Sequence, residues 1–280
     1  MLTHCLLITA ATVGIILGTL LPFLPGRYDS LAAPLSGMTQ IFGIVGLLLV
    51  PIGGLWVASG YWSRLAAKQY GIAIAALTVS SFVWLIVSLG ALVSGGLLLG
   101  LGALAIWIFV VSRVVPRLKL LKGATPRPAS PVAFYMFIVP VAVALIQMAV
   151  VPPAIEFSRS RAIRNSARLI ADIEQYRAAN GRYPASLLSV WEDYLPGVVG
   201  IKEYHYEPHG DAYNLFFEQF ARAAGTREFV MYNPRDQQVM TSHKLDRLRL
   251  TAEGLALEQT RGYYAAHDAP HLHWKYFWFD

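Results

Sequence analysis

The residues best suited to chemistry lie close together near the end of the chain, in the segment His267-Asp268-Ala-Pro-His271-Leu-His273. Three imidazoles and a carboxylate at this spacing could bind Zn²⁺, which takes three or four nitrogen, sulfur or oxygen ligands in a fixed geometry. No His-Glu-x-x-His helix or other metal signature accompanies them, and Pro270 interrupts the segment. The favoured interpretation is therefore a set of loop histidines, with a zinc site as the alternative. His205, His209 and His243 could contribute further imidazoles.

Aromatic residues follow the histidines directly. In an extended strand, Trp274, Tyr276 and Trp278 share one face, and the other face carries Lys275, Phe277 and Phe279. One face is expected to pack in a core. The other could contact a protein partner or the membrane interface, where Trp and Tyr are favoured. Trp274, Tyr276 and Trp278 are thus a candidate interaction surface, with core packing as the favoured alternative.

Signatures of common enzymes are missing from the sequence. It contains no Gly-x-Ser-x-Gly elbow, no Walker A loop and no Gly-rich dinucleotide turn after a strand. Asp172 and Glu174 are two positions apart on a predicted helix, so they lie on different faces and cannot form a catalytic pair by themselves. We therefore predict no catalytic residue and no cofactor, and we expect a protein that is not an enzyme.

The composition is that of a membrane protein. Hydrophobic residues make up 55% of the chain and charged residues only 14%, against about 25% charged in soluble domains. Residues 1–154 contain eight basic residues and one acidic residue, whereas residues 155–280 are close to neutral. A nearly neutral soluble part argues against binding to nucleic acid.

Five stretches are predicted to cross a bilayer, at about residues 2–24, 39–60, 71–93, 96–112 and 132–151. The first is expected to be a retained helix. Residues 71–112 are free of charge, and as one helix they would be about 63 Å long, twice the hydrocarbon thickness. We therefore predict a hairpin at Ser94-Gly95-Gly96. The fifth stretch is expected to end at Pro152-Pro153.

Basic residues in short loops predict the orientation, because such loops stay in the cytoplasm. The loop after residue 112 and the loop that contains Arg64 and Lys68 are basic, so both are expected inside. The N-terminus is then cytoplasmic, and residues 26–38 and 155–280 are extracytoplasmic. Gln147 is a strongly polar residue within the fifth predicted span, and we expect it to make a helix–helix hydrogen bond. The shortage of mid-membrane charges disfavours a transporter.

Residues 155–280 are predicted to form an α+β domain. Ile163, Ala167, Ile170, Ile173 and Tyr176 recur at helical spacing, which indicates a long amphipathic helix that ends at Asn180-Gly181. Alternating patterns then predict strands at 203–207, 212–220, 227–232, 239–242 and 273–280. The arginines of this helix are expected on a solvated face, with lipid phosphates as an alternative partner: Arg159, Arg161, Arg164 and Arg168.

Part of this domain resembles a known family. The run Ala-Arg-Leu-Ile-Ala-Asp-Ile-Glu-Gln-Tyr-Arg-Ala-Ala-Asn-Gly-Arg-Tyr-Pro-Ala-Ser-Leu (167–187), with Tyr-His-Tyr at 204–206 and Gly-Asp-Ala-Tyr-Asn-Leu at 210–215, is similar to the headpiece of type IV pilin-like proteins, especially type II secretion pseudopilins. The resemblance covers about residues 155–215. It implies a helix packed on a small antiparallel sheet and a domain that binds other proteins. Pilins have one membrane helix behind a processing site, so we carry over neither processing nor filament assembly.

Together these observations predict a multi-pass α-helical protein of the bacterial inner membrane, with a membrane domain at 1–154 and an extracytoplasmic pilin-like α+β domain at 155–280. We expect this domain to serve in protein interaction, sensing or envelope assembly. The alternative is a metal-dependent envelope enzyme that uses His267, Asp268, His271 and His273. The expected partners are the lipid bilayer and an envelope protein. Gly-x-x-x-Gly pairs at 14–18 and 96–100 leave self-association open.

Overall fold

The computed structural model describes residues 2–62, 65, 68–119, 131–190, 193–209, 211–221, 227–238 and 264–279. Most of these residues are helical, and one small antiparallel sheet lies in the C-terminal part. The chain divides into two units. The first comprises Met1–Leu21 with Leu31–Pro152, and the second comprises Pro22–Ser30 with Pro153–Asp280.

Six α-helices are found among the described residues. They are α1 (Leu2–Leu20), α2 (Ala32–Val45), α3 (Val50–Ser59), α4 (Gln69–Lys119), α5 (Pro131–Asn165) and α6 (Ala167–Asn180). Four helical stretches of this part of the chain are long and apolar enough to cross a membrane: Thr3–Phe23, Ala32–Ser59, Gln69–Leu118 and Pro131–Asn180. Runs of apolar residues form helices of this length because each backbone group is then bonded within its own segment.

The second apolar stretch begins earlier than predicted. It starts at Ala32 rather than at residue 39, because Pro34 lies in the first turn, where its missing N–H would have no helical partner. A 3₁₀ turn at Gly46–Leu49 separates α2 from α3, and Pro51 follows in the first turn of α3.

Helix α4 is interrupted at Gly96, within the Ser-Gly-Gly run where the sequence predicts a hairpin. Gly96 has φ 79° and ψ −178°, a conformation that a side chain would disfavour. The two halves pack against each other: the indole N–H of Trp84 donates to the carbonyl of Ala103 at 2.7 Å, and that of Trp107 donates to the Ser81 hydroxyl at 3.1 Å. Residues that far apart along one straight helix could not touch, so the chain reverses at Gly96.

The expectation that the fifth stretch stops at Pro152-Pro153 is wrong for the helix, although the boundary between the two units lies at these residues. Helix α5 continues through both prolines to Asn165, and α6 begins at Ala167. Proline fixes φ near −65°, which is a helical value. Each of the two prolines removes one backbone hydrogen bond, and the helix continues past them. At Ser166 the hydroxyl bonds back to the carbonyl of Ile163, a contact that often bends a helix.

The second unit contains a five-stranded antiparallel sheet in the order β1-β2-β3-β5-β4. Its strands are β1 (His205–His209), β2 (Ala212–Phe220), β3 (Arg227–Tyr232), β4 (Tyr264–Asp268) and β5 (Trp274–Phe279). Strand β3 pairs with β5, Val230 lying opposite Tyr276. The strand predicted at residues 239–242 lies outside the described residues, as does His243. A helix followed by a small antiparallel sheet is therefore confirmed.

One face of the sheet packs against α5 and α6. Buried Leu169 and Ile173 of α6 meet Tyr213, Leu215 and other inward residues of the central strands in one hydrophobic cluster. The hydroxyl of Tyr204 donates to the carbonyl of Ala162 at 2.6 Å and ties the approach to β1 to helix α5. Period-2 alternation along each strand places these residues on the same side.

A segment from the start of the chain completes this unit. Residues 22–30 lie beside residues 197–200, with hydrogen bonds from Gly26 N to Gly197 O at 3.1 Å and from Val199 N to Leu24 O at 2.9 Å. Phe23 is only 2% exposed and stacks on Phe220, their ring centroids 6.1 Å apart. The loop between α1 and α2 is thus a built-in part of the C-terminal unit.

Candidate functional site

The predicted histidine cluster lies at the β4–β5 hairpin, but its members point to different partners. His267 is on β4, and its ring centroid lies 4.9 Å from that of Tyr276 and 4.6 Å from that of Trp278. Asp268, on the opposite face of β4, lies 3.6 Å from the ammonium of Lys275. His271 contacts the hydroxyl of Ser160 on α5 at 3.3 Å.

The fourth member, His273, pairs with a residue of another loop. Its Nδ1 lies 3.0 Å from Oδ2 of Asp236. These two are the non-glycine residues of the described chain with positive φ, 65° for His273 and 57° for Asp236. The carbonyl of His273 also accepts bonds from Asn233 N at 3.1 Å and Gln238 Nε2 at 3.2 Å. The hairpin tip is therefore held in place by the loop that follows β3.

A surface groove of about 450 Å³ lies at this tip. It is lined by Asp236 and by residues 268–275 of the hairpin. Leu272 projects from the tip with 79% of its surface exposed. The groove brings Asp268, His271 and His273 into one region, while His267 is turned toward the aromatic face of the sheet.

The described residues contain no group of three or more His, Cys, Asp or Glu side chains arranged to hold a metal ion. The structure thus places the four predicted zinc ligands near each other without directing them at one point. The zinc site stays a prediction from the sequence.

The aromatic face proposed for interaction packs against helix α5. Trp274 is 5% exposed and belongs to the hydrophobic cluster, and the guanidinium of Arg159 lies 3.8 Å above the ring of Tyr276. Trp278 is half-buried, and its indole N–H donates to a carboxylate oxygen of Glu228 at 2.5 Å. A docking role for these three residues stays a prediction. Their observed contacts are within the unit.

These contacts surround a buried ion pair that the sequence analysis missed. Arg159 of α5 binds Glu228 of β3 through two nitrogens, with Nε to Oε1 at 2.9 Å and Nη2 to Oε2 at 3.0 Å. The side chains are 5% and 0% exposed. Arg159 also pairs with Glu156, one turn earlier. The prediction of a solvated face is therefore wrong for Arg159.

Desolvation is the largest electrostatic effect on Glu228 in its pair with Arg159. Burial raises the pKa of the Glu228 carboxyl, and the charge of Arg159 opposes that shift. A bidentate guanidinium–carboxylate pair fixes the orientation of both planes, so it sets the register of α5 on the sheet.

Strand alternation could have revealed Glu228, because it shares a face with buried Val230. Its partner lies 69 positions away, beyond any local pattern.

The first unit contains a different polar cluster. Gln147 of α5 donates through Nε2 to the hydroxyl of Thr19 at 3.1 Å and to the carbonyl of Thr39 at 2.8 Å. Ser36, which is fully buried, donates to the carbonyl of Thr19 at 2.6 Å. This junction joins α1, α2 and α5, as expected for Gln147. A Cβ added at Gly43 would lie 1.8 Å from Oε1 of Gln147, so glycine is needed there.

No protein-family model matches the chain, and no curated protein or solved structure is significantly similar to it. The resemblance to pilins rests on the residues quoted above.

Proposed function

We propose that the chain is a multi-pass membrane protein that presents its C-terminal unit as a pilin-like, protein-binding domain on the far side of the membrane from the cytoplasm. The observation that carries this proposal is the backbone pairing of residues 22–30 with residues 197–200. It joins the first interhelical loop to the C-terminal unit. Two segments that pair in this way must lie on the same side of a bilayer.

The apolar helices support the membrane part of the proposal. Their length and composition suit a hydrocarbon core of about 30 Å. Exposed large hydrophobic residues are frequent along them, for example Leu98 at 88% and Val93 at 79%. In water such surfaces would be unfavourable, whereas lipid would cover them. Four basic residues near the ends of α3 and α4 favour a cytoplasmic location for those ends: Arg64, Lys68, Arg113 and Arg117.

Site-directed labelling tests the topology. Single cysteines at Leu272, Arg27 and Tyr61 would be placed in a Cys5→Ser background, since Cys5 is the one native cysteine. Leu272 and Tyr61 are 79% and 77% exposed. In spheroplasts, a membrane-impermeant maleimide should label positions 272 and 27, and it should label position 61 only after lysis. Labelling of positions 27 and 272 from opposite sides would refute the proposal.

The hairpin tip is the part of the C-terminal unit best suited to bind another protein. Leu272 is an exposed apolar side chain on a tip whose backbone is fixed by hydrogen bonds, so little conformational entropy is lost on binding. The adjacent groove offers both charged and imidazole groups. Apolar anchors of this kind, surrounded by polar groups, are typical of interaction sites.

In-cell photocrosslinking tests this binding role. A photoreactive residue at Leu272 should capture one defined envelope protein. The matched control is Leu188, which is similarly exposed at 77% but lies in a 3₁₀ turn after α6. The captured protein must then be caught again in the reverse direction, from its own surface. The same products at both positions, or none, would contradict a binding site at the hairpin.

The alternative function is that of a metal-dependent enzyme at the same hairpin, favoured by the grouping of Asp268, His271 and His273 around one groove. It predicts that the purified full chain binds Zn²⁺ with one-to-one stoichiometry and that His271→Ala removes this binding. Titration calorimetry and metal analysis measure both. Unchanged zinc content in His271→Ala would eliminate this alternative.

A further inference from the structure

Residues 22–30, the strap, are held in the second unit as a bound peptide would be. Four main-chain hydrogen bonds of 2.8 to 3.1 Å join them to residues 197–200. Phe23, which is 2% exposed and stacks on Phe220, supplies a buried anchor side chain. Main-chain bonds along an extended segment, together with an anchor in a pocket, are a common way for one chain to bind a segment of another.

The groove that receives the strap is shaped for the close approach of two backbones. A Cβ added at Gly200 would lie 2.6 Å from the carbonyl oxygen of Pro22, and a Cβ added at Gly26 would lie 2.8 Å from Cγ2 of Val199. Gly197 has φ 70°, a left-handed value that favours glycine. Groove and strap therefore fit each other closely, and a second copy of this chain carries the same fitting segment.

The strap is connected along the chain to the rest of its unit only through the first unit. It comprises Pro22–Ser30, whereas Leu21 and Leu31 already belong to the first unit. The loop that the pairing closes is about 170 residues long, so connectivity gives the strap only a weak preference for its own groove. Connections without spare residues favour exchange of such a segment between copies, because the exchanged contacts are identical.

Helix α1, which leads into the strap, has an open face of small and apolar residues. Four exposed residues recur on it at helical spacing: Leu7, Ala10, Gly14 and Leu17. A Cβ added at Gly14 would meet nothing of the described chain within 4 Å, whereas one added at Gly18 would lie 3.2 Å from Cγ2 of Thr39. Gly18 is thus packed within its own copy, and Gly14 is open. Small residues let membrane helices approach each other closely.

We propose that two copies of this chain exchange straps, so that residues 22–30 of one copy pair with residues 197–200 of the other while their α1 helices meet at Gly14. Each copy then completes the other's C-terminal unit with the same main-chain bonds and the same Phe23 anchor. The exchange joins two C-terminal units in one assembly, which would strengthen the binding of a partner with two attachment points. This inference rests on the membrane anchorage proposed above, because the contact at Gly14 needs helices side by side in lipid.

Disulfide trapping in intact cells tests the exchange. In a Cys5→Ser background, one full-length chain carries Gly26→Cys, and a second, differently tagged chain carries Val199→Cys. A Cβ at position 26 lies 2.8 Å from Cγ2 of Val199, so the two cysteines reach the Cβ separation of about 4 Å that a disulfide needs. Oxidation precedes solubilisation, so that the pairing present in the membrane is the one recorded.

We expect a disulfide-linked pair of the two tagged chains in about tenfold higher yield than when Leu188→Cys replaces Val199→Cys. Leu188 is 77% exposed and serves as the matched control for random collision. A further Gly14→Leu change in both chains should lower the yield about fivefold, since it fills the open face of α1. Equal yields with Val199→Cys and Leu188→Cys would overturn the exchange, and an unchanged yield with Gly14→Leu would overturn the contact at Gly14.

A single chain with both Gly26→Cys and Val199→Cys separates this outcome from failure of the proposed function. If that chain forms a disulfide within itself while the differently tagged chains give no linked pair, each strap stays in its own copy and only the exchange is refuted. If no disulfide forms within or between chains, the backbone pairing itself is wrong, and the topology proposed from it fails as well.

Discussion

The two units hold a polar group between packed elements by different chemistry. In the first unit, Gln147 bonds to Thr19 and Thr39 with neutral groups only. In the second unit, Arg159 and Glu228 bury a full pair of opposite charges between a helix and a strand. A buried ion pair recovers its desolvation cost only with good geometry and further hydrogen bonds, and Trp278 and Glu156 supply those.

The membrane anchorage proposed above would account for this difference. In lipid, an ionised side chain that loses its partner has no water to return to, and a neutral amide is a smaller liability. In water, a charged pair can assemble from solvated groups and then exclude solvent. The neutral junction therefore suits membrane helices, and the ion pair suits a domain that folds in an aqueous compartment.

The largest effect is expected from Arg159→Ala. It leaves the carboxylate of Glu228 buried without its cation, which we expect to lower the free energy of unfolding of the second unit by about 3 to 5 kcal/mol. Hydrogen exchange of peptides from β3 and β5, measured by mass spectrometry, should detect the change. Exchange in α2 should remain as it was.

The matched control is Arg235→Ala, which removes the exposed pair of Arg235 with Asp211. Exposed pairs contribute about 1 kcal/mol or less, so β3 and β5 should keep most of their protection. If the two variants lost protection equally, the buried pair of Arg159 with Glu228 would stabilise the unit no more than the exposed pair of Arg235 with Asp211 does.

A smaller effect is expected from Gly43→Ala in the first unit. The new methyl group would collide with Oε1 of Gln147 and displace the amide from Thr19 and Thr39. Interhelical hydrogen bonds in membranes contribute about 0.6 kcal/mol each on average, so the loss should be about 1 kcal/mol. Titration of the full chain with SDS, followed by tryptophan fluorescence, measures it.

Gly14→Ala is the control, because a Cβ at Gly14 would meet nothing within 4 Å. It should leave the midpoint of the SDS titration unchanged or raise it slightly, since alanine favours helix. A decrease as large as that of Gly43→Ala would show that the close approach at Gln147 is unimportant.

The smallest effect is a dependence on pH that only the second unit should show. Burial raises the pKa of Glu228 in the folded state, so folding favours its protonated form. The stability that this group contributes is then complete below its ordinary pKa near 4.5 and is lost as the pH rises through the raised pKa. The neutral groups at Gln147 do not titrate.

Hydrogen exchange from pH 4.5 upward, corrected for the intrinsic rate, tests this slope. Protection of β3 should fall with pH in the unchanged protein and fall less in Glu228→Gln. Parallel curves for the two proteins would mean that Glu228 does not titrate differently on folding.

Much of the architecture could be predicted because it is encoded locally. Apolar runs show helix length directly, and Gly95-Gly96 marks the break in α4. Strand β2 has the predicted bounds, since it is a nine-residue run rich in aromatic residues. The sequence predicted a stop at Pro152, because proline removes a backbone hydrogen bond. In this long helix the remaining hydrogen bonds keep the chain helical past that residue.

The features that escaped prediction depend on distant partners. The pairing of β3 with β5 and the burial of Arg159 by Glu228 join residues far apart in sequence. The histidines were grouped because they are close in sequence. On a strand and a tight turn, however, successive side chains point in different directions, so His267 and His273 bind different neighbours.

The segment at residues 22–30 also imposes a delay during biosynthesis, because its partners are synthesised much later. Gly26 leaves the ribosome about 170 residues before its partner Gly197. At 5 to 20 residues per second, that interval is roughly 9 to 34 seconds. Throughout it, Phe23 has no Phe220 to stack on. The C-terminal unit therefore cannot finish folding as a separate late event, because residues 22–30 are synthesised early and must stay available until residues 197–200 and Phe220 arrive.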